Sequence, residues 1–351
     1  MSTSSSSEPT APAARPSRLK NALKNLALFG FTFLLCVALT ELALRILGFG
    51  SVEIYEPHPQ LYWRLKPNQD CSTKIDRKPV QVNSHGTRGR EFSAAKPLGT
   101  LRIISLGDSR TFGWGLSEAE TYSGLLEKQL QEQFGAAKKV EVINCGVNAW
   151  SYPQMSVFFR EFALKWQPDL VILADANLWT QFSEQNDPAF VKKFLNRVRL
   201  KNFLRRFALY HYVVEVQLKN FYEQHRSKFV PVDPKQDTLF KEQQQKDPDA
   251  FFRAAIESVC ATARSNRVPV VLMYQPGQNT LLSTNAPADG VLRAKQQVSQ
   301  QFNVPLLDLT DDLRARAKDL YLDADPVHLN AAGNEIIGRR LFEVVSPLLK
   351  P

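Results

Sequence analysis

Residues 101–115 read LRIISLGDSRTFGWG, an apolar run that breaks off at Gly107-Asp108-Ser109 and continues through two further glycines, Gly113 and Gly115. Leu101 to Leu106 has the length and aliphatic content of a strand buried on both faces. Glycine reaches backbone angles closed to other residues, and Asp and Ser satisfy turn amides with their own side-chain oxygens. The stretch therefore predicts a strand ending in a tight turn. At this level the turn has two readings: it only redirects the chain, or it presents the Ser109 hydroxyl at the mouth of a site.

Similar runs follow downstream, VEVIN from 140, DLVILA from 169, VPVVLMY from 268 and VPLLDL from 304. Helical patterns separate them. ETYSGLLEKQLQEQF (120–134) puts Tyr122, Leu125, Leu126 and Leu130 on one side; PQMSVFFREFALKW (153–166) and DGVLRAKQQVSQQF (289–302) behave alike, and NAAGNEIIGRRLFEVVSPLL closes the chain. Strands alternating with helices predict an α/β domain built on a parallel sheet of five strands, with crossover helices on both faces. In such sheets sites form beyond the carboxyl ends of the strands, which is where Gly107-Asp108-Ser109 stands. One stretch breaks the rhythm: residues 178–263 separate the third strand from the fourth, far more than the ~10–15 residues of a plain crossover helix.

That insertion also holds most of the charge imbalance. The chain's formal net charge is +9, and residues 192–228 carry ten Lys or Arg against only Glu215 and Glu223. FVKKFLNRVRLKNFLRRFALYHYVVEVQLKNFYEQHR reads as one or two amphipathic helices with basic residues between the apolar ones. It is either an extra helical layer or a lid or membrane-surface contact, its partner then an anionic lipid or polymer.

The N-terminal organisation follows from composition. Residues 1–23, rich in Ser, Pro and Ala, are expected to be a disordered cytoplasmic tail. Residues 24–48 are predominantly apolar over about the ~20 residues a bilayer-spanning helix requires. Arg15, Arg18, Lys20 and Lys24 precede or open that run, which places the N-terminus inside and the rest of the chain outside. A cleaved signal peptide lacks its small-residue site, a lipoprotein signal at Cys36 lacks its small flanks, and a buried core helix does not account for the basic flank, so an uncleaved anchor is the favoured reading. Residues 49–98 are an extended lead-in packing on the main domain, and 99–351 are the domain itself. Of the four cysteines, Cys71, Cys145 and Cys260 lie on the outer side, where one disulfide with three choices of pairing is possible. No Cys and His pair has zinc-ligand spacing, so neither metal nor other cofactor is expected.

Near the C-terminus stands DADPVHLNAAG (323–333), just before the last helix, which Asn330 or a neighbour can cap. Asp325 and His328 are three residues apart. In a single turn that spacing lets the carboxylate meet the imidazole Nδ1–H while Nε2 points elsewhere, which is the base and orienter half of a nucleophilic triad. Its missing member would be a serine at a strand end.

Taken together, these blocks resemble the SGNH hydrolases, also called the GDSL esterase and lipase family, over the chain from about 99 onward without the insertion. LGDSRTFGWG is similar to the first signature block with Ser109 as nucleophile, INCGVNAW (143–150) to the second with Gly146 as an oxyanion donor, and DPVHLNAAG to the last with Asp325 and His328. NSHGTRGREF (83–92) resembles the lead-in of bacterial membrane-anchored members. The third block departs. Where the family shows Gly-x-Asn-Asp, this chain has Asp175-Ala176-Asn177-Leu178, keeping Asn177 as the amide donor but changing the residues beside it. Asp175 is either an inert strand-end residue or a group that binds a polar part of the substrate, and Trp114 either walls the cleft or packs against it.

The resemblance implies a three-layer α/β/α, flavodoxin-like fold with a five-stranded parallel sheet, preceded by one transmembrane helix. It implies a Ser109–His328–Asp325 triad, with an oxyanion hole from the Ser109 and Gly146 amides and the Asn177 side chain. The expected activity is hydrolysis of a carboxylic ester, such as an O-acylated envelope or exported carbohydrate, by a single-pass protein of a bacterial inner membrane with its catalytic domain in the periplasm. An O-acyltransferase using the same nucleophile, and a noncatalytic carbohydrate-binding scaffold, are the alternatives. Nucleic acid is not an expected partner, because the basic segment would lie across the membrane, and His58, His85, His211 and His225 receive no catalytic role.

Overall fold

The computed structural model describes residues 18–50, 52, 55–73, 77–176, 188–218, 221, 250–283 and 289–349. Its centre is a five-stranded, wholly parallel sheet of β5 (Thr100–Gly107), β6 (Lys139–Gly146), β7 (Leu170–Leu173), β8 (Val270–Tyr274) and β9 (Leu306–Asp308). Their spatial order is β6-β5-β7-β8-β9. Counted within the sheet this is the flavodoxin-like order 2-1-3-4-5, in which the chain switches direction beside the first strand and leaves a crevice at its carboxyl end. The five apolar runs of the sequence are these five strands.

Each strand alternates its side chains between two separate cores, as the period of two requires. Ile104, Leu106, Val171, Leu173 and Leu272 face one core, shared with α4 (Tyr152–Glu161), α6 (Ala250–Ser265) and α7 (Gly290–Phe302). Ile103, Leu170, Ile172, Val271 and Met273 face the other, shared with α3 (Tyr122–Phe134) and α8 (Ala331–Val345). A fully buried aliphatic side chain contributes about 1.5–3 kcal/mol, so both helical layers are held by the sheet rather than by their own propensity. Helix starts are set locally. Thr121, Asp289 and Asn330 each accept an amide of the first turn of α3, α7 and α8, and Ser151 opens α4 in a capping box with Gln154.

Two antiparallel hairpins precede the sheet, β1 (Tyr55–His58) with β2 (Tyr62–Leu65) and β3 (Gln69–Ser72) with β4 (Pro79–Val82). Past β4 the chain runs alongside β6, with Arg88 bridging both Val82 and Asn144. The lead-in thereby covers an edge of the sheet that would otherwise leave unpaired backbone groups.

Before all of this stands α1 (Arg18–Ile46), which contains the one helix among the described residues long and apolar enough to cross a membrane, Lys20–Ile46. Within the long insertion, α5 (Pro188–Leu204) is followed by a π-helical stretch, His211–Leu218. The last helix of that stretch, α6, is an ordinary crossover helix: Ile256, Val259, Cys260 and Ala263 are all buried in the core. The boundary at 263 therefore takes in part of the domain proper. Cys36, Cys71, Cys145 and Cys260 are all free thiols.

Candidate functional site

β5 delivers Gly107 to the carboxyl edge of the sheet, and α2 (Ser109–Phe112) starts two residues later. The turn is sharp because the two elements nearly touch. A Cβ on Gly107 would stand 1.8 Å from Thr111 Oγ1, and one on Gly146 would stand 2.1 Å from the Phe112 amide nitrogen. Any side chain at either position would push α2 off the sheet. Asp108 caps the helix through the Arg110 amide, leaving Ser109 as its first residue, whose amide has no acceptor within the helix.

The C-terminal loop brings His328 to this serine. Ser109 Oγ lies 2.7 Å from His328 Nε2, and His328 Nδ1 lies 2.6 Å from Asp325 Oδ2. The other carboxylate oxygen, Asp325 Oδ1, accepts the amides of Val327 at 2.9 Å and His328 at 3.1 Å. Burial raises the Asp325 pKa, but its bond to His328, the imidazole's charge and the two amides outweigh that and hold it below the ordinary carboxylate value. Both side chains remain open to solvent, His328 at 17% and Asp325 at 25%. The Trp114 ring sits 5.9 Å from the imidazole, tilted by 32°, and is half-buried, so it borders the opening.

The surroundings of Gly146 and Asp175 bear on the roles expected of them. Gly146 is buried, and its amide donates to Asn144 Oδ1 at 3.0 Å, so an oxyanion role for it requires that bond to open. Three residues on, Ala149 holds the left-handed φ of 64°, a conformation that costs a non-glycine residue energy and clusters at working sites. Asp175 is 3% exposed and faces inward. Its Oδ1 accepts Lys295 Nζ at 2.6 Å and Tyr152 at 3.3 Å, while Oδ2 accepts the Gln275 amide at 2.5 Å. Of its two readings, burial and filled valences favour the strand-end residue. Asn177 and Leu178 lie outside the described residues.

Two positions that the motifs did not single out complete the platform. Lys295 is wholly buried and, with Asp108, Arg110 and Asp175, forms a quartet of two cations and two anions under the nucleophile turn. Burial pulls the Lys295 pKa down against the pull of Asp175. Arg110 is also desolvated, but Asp108 and Asp175 beside it outweigh that and raise its pKa. The signal was present in α7, where Val291, Ala294, Lys295 and Val298 share the buried face at helical spacing. Arg88, from NSHGTRGREF, donates to the carbonyls of Phe112 at 2.6 Å, Gly113 at 2.9 Å and Leu116 at 2.5 Å, and its guanidinium lies 4.7 Å from the Phe112 ring centroid. Asn144 holds the Thr111 carbonyl at 2.8 Å. The nucleophile turn is therefore gripped from the lead-in and from β6 together.

No family model and no curated protein matches the sequence. Among solved structures, the chain is similar to the lipase/acylhydrolase from Enterococcus faecalis at 17% identity, over 72% of this chain and 98% of that one, with a TM-score of 0.45. It is similar to the acetyl xylan esterase AlAXEase at 18% identity, over 70% of this chain and 100% of that one, with a TM-score of 0.42. A third, the acetylxylan esterase Axe2 from Geobacillus stearothermophilus, shares 15% identity over 70% of this chain and 94% of that one, with a TM-score of 0.41.

Chemically, the arrangement offers a half-buried hydroxyl, an imidazole in line with it and a carboxylate fixing the imidazole. Among the described residues no group of three or more His, Cys, Asp or Glu side chains is placed to hold a metal ion.

Proposed function

We propose that the chain is a serine carboxylic-ester hydrolase of the SGNH type, held to a membrane by α1. The supporting observation is the continuous relay from Ser109 through His328 to Asp325, standing at the carboxyl end of β5 where the sheet order reverses. His328 Nε2 takes the proton as Ser109 Oγ attacks the acyl carbon. Asp325 keeps the proton on Nδ1 and stabilises the imidazolium that forms. The developing oxyanion is received by the Ser109 amide and, on the family resemblance, by the Asn177 side chain; each such donor is worth about 3–4 kcal/mol in the transition state. His328 then returns its proton to the leaving alcohol and activates the water that releases the acyl group.

The reading extends to an O-acylated carbohydrate as substrate. Trp114 beside the imidazole offers the flat apolar face on which a sugar ring stacks. Arg15, Arg18, Lys20 and Lys24, before and at the start of α1, argue for a cytoplasmic N-terminus and a periplasmic catalytic domain in a bacterial inner membrane. The test uses the full chain in detergent, offered acetyl esters of simple alcohols and an acetylated oligosaccharide, beside Ser109→Ala. Release of acetate by the native protein alone is the expected result, and equal turnover by the two overturns the hydrolase reading.

A further inference from the structure

The part of the insertion next to α1 shows an unusual surface. Leu200, Phe203, Phe207, Val213, Val214 and Leu218 are all exposed within nineteen residues. Clustered apolar side chains on a surface mark a contact. The segment is also bonded to α1 directly. Glu41 accepts the amides of Ala208 at 2.8 Å and Leu209 at 2.9 Å, Arg45 donates to the Arg206 carbonyl, and the Gly50 amide donates to His211 Nδ1 at 3.0 Å.

Those bonds fix the depth of the segment. Along α1, Lys24 and Glu41 bracket a run without charge, and at ~1.5 Å per residue they lie roughly 25 Å apart, close to the ~30 Å of a hydrocarbon core. Glu41 thus marks the boundary on the catalytic side, and Leu34 lies about 10 Å deeper. A groove lined by Leu34, Val37 and Ala38 of α1 has Leu209, Val213 and Val214 as its other wall. Val213 and Val214 therefore stand inside the depth of the apolar run, while Lys192, Lys193, Arg197 and Arg199 are exposed on α5, which precedes them.

We propose that residues 200–218 form a second membrane-contacting element, an interfacial wedge whose apolar side chains enter the leaflet beside α1, with the basic side of α5 on lipid phosphates. The occupant of the groove is lipid acyl chain. An interfacial element of this kind buries its apolar face ~5–10 Å into the headgroup and acyl boundary, the depth that the Glu41 contacts set here. The inference rests on α1 crossing the membrane.

The wedge also orients the site. Asn202 donates to the Tyr55 carbonyl, the Arg205 guanidinium lies 5.5 Å from the Tyr55 ring centroid, and the Tyr55 hydroxyl accepts Asn148 at 2.7 Å in the loop after β6. Two points of attachment hold the opening at Ser109 at one height and angle over the bilayer, where a single helix would leave it free to swing.

The test reconstitutes the full chain in vesicles of phosphatidylcholine with some phosphatidylglycerol and a phospholipid carrying a diazirine in its acyl chain. After illumination, adducts are mapped by mass spectrometry. Adducts in both 26–40 and 207–218 are expected. Adducts in 26–40 alone, with or without a second copy crosslinked over 207–218, overturn the wedge and leave the anchor standing; adducts in neither overturn both. Val213→Asp with Val214→Asp, which would carry charge into the apolar depth, should cut adducts in 207–218 at least about fivefold while those in 26–40 stay. Unchanged adducts in 207–218 likewise overturn the wedge. Labelling of Ser109 by a fluorophosphonate is independent of these outcomes, so failure of the wedge is distinguishable from failure of the hydrolase reading.

Discussion

Two hydrogen-bonded clusters, each built around aspartate, meet at the nucleophile turn, and they differ in what their atoms still have to offer. In the buried quartet, both oxygens of Asp108 are bonded to Arg110 and both of Asp175 are occupied, with Lys295 closing the group from α7. In the half-buried relay, Asp325 is as fully bonded, but His328 turns one nitrogen to the Ser109 hydroxyl, a partner that a reaction can change. Charge and proximity are common to both clusters. A replaceable partner belongs only to the relay, and it separates a group that reacts from a group that holds. Ser109→Ala removes the reacting group and should have the largest effect: kcat falls about 10⁴-fold or more, while the midpoint of urea unfolding moves little. Turnover within tenfold of the native protein would remove Ser109 from the chemistry.

The quartet should respond in the opposite sense, through stability first. Removing one partner of a buried ion pair strands the other, at a cost of about 3–5 kcal/mol. Lys295→Met is expected to lower the unfolding free energy by that amount, read from urea titration, because Asp175 loses its closest cation. Adding Asp175→Asn to Lys295→Met should return most of the loss, since neither charge is then left alone. If the double variant is as unstable as the single one, the quartet is not a balanced group and the cost comes from packing.

A smaller effect is expected at the grip on the nucleophile turn. Arg88→Lys keeps the charge but replaces a planar fork, whose donors reach three carbonyls, by a single ammonium. Loosening the turn should cost about 10- to 100-fold in kcat with KM nearly unchanged, because the substrate still binds while Ser109 is held less well against His328. The rate of fluorophosphonate labelling should fall in step. A rise in KM alone would place Arg88 in substrate binding.

These differences also explain what the sequence revealed. The five strands were legible because fully buried strands read as continuous aliphatic runs, and Asp325 with His328 because their spacing fits one turn of chain. Arg88 sits in a motif whose form was visible, but its work is with carbonyls twenty-four to twenty-eight residues away, and a carbonyl leaves no mark in a sequence. Lys295 pairs with Asp175 across 120 positions, so the substitution of glycine by Asp175 and its compensation stood in different parts of the chain. Gly146 is legible as a glycine, yet its reason is the close approach of α2, which only the packed structure displays.

The smallest effect is expected in how stability depends on pH. Asp325 has a native pKa below its unfolded value, so its contribution to stability is fully present above the ordinary carboxylate value and is lost as pH falls through the lower native one. The side chain is a quarter exposed, so solvent screening keeps that contribution to at most about 1 kcal/mol. Native protein and Asp325→Asn should therefore differ modestly in unfolding free energy at neutral pH, and the difference should shrink as the pH is taken down through the carboxylate range. Activity is expected to behave otherwise: Asn at 325 cannot stabilise the imidazolium that forms during the reaction, so turnover stays depressed across the same pH range. A stability difference that persisted in acid would mean that Asp325 supports the loop through its two amide bonds rather than through its charge on His328.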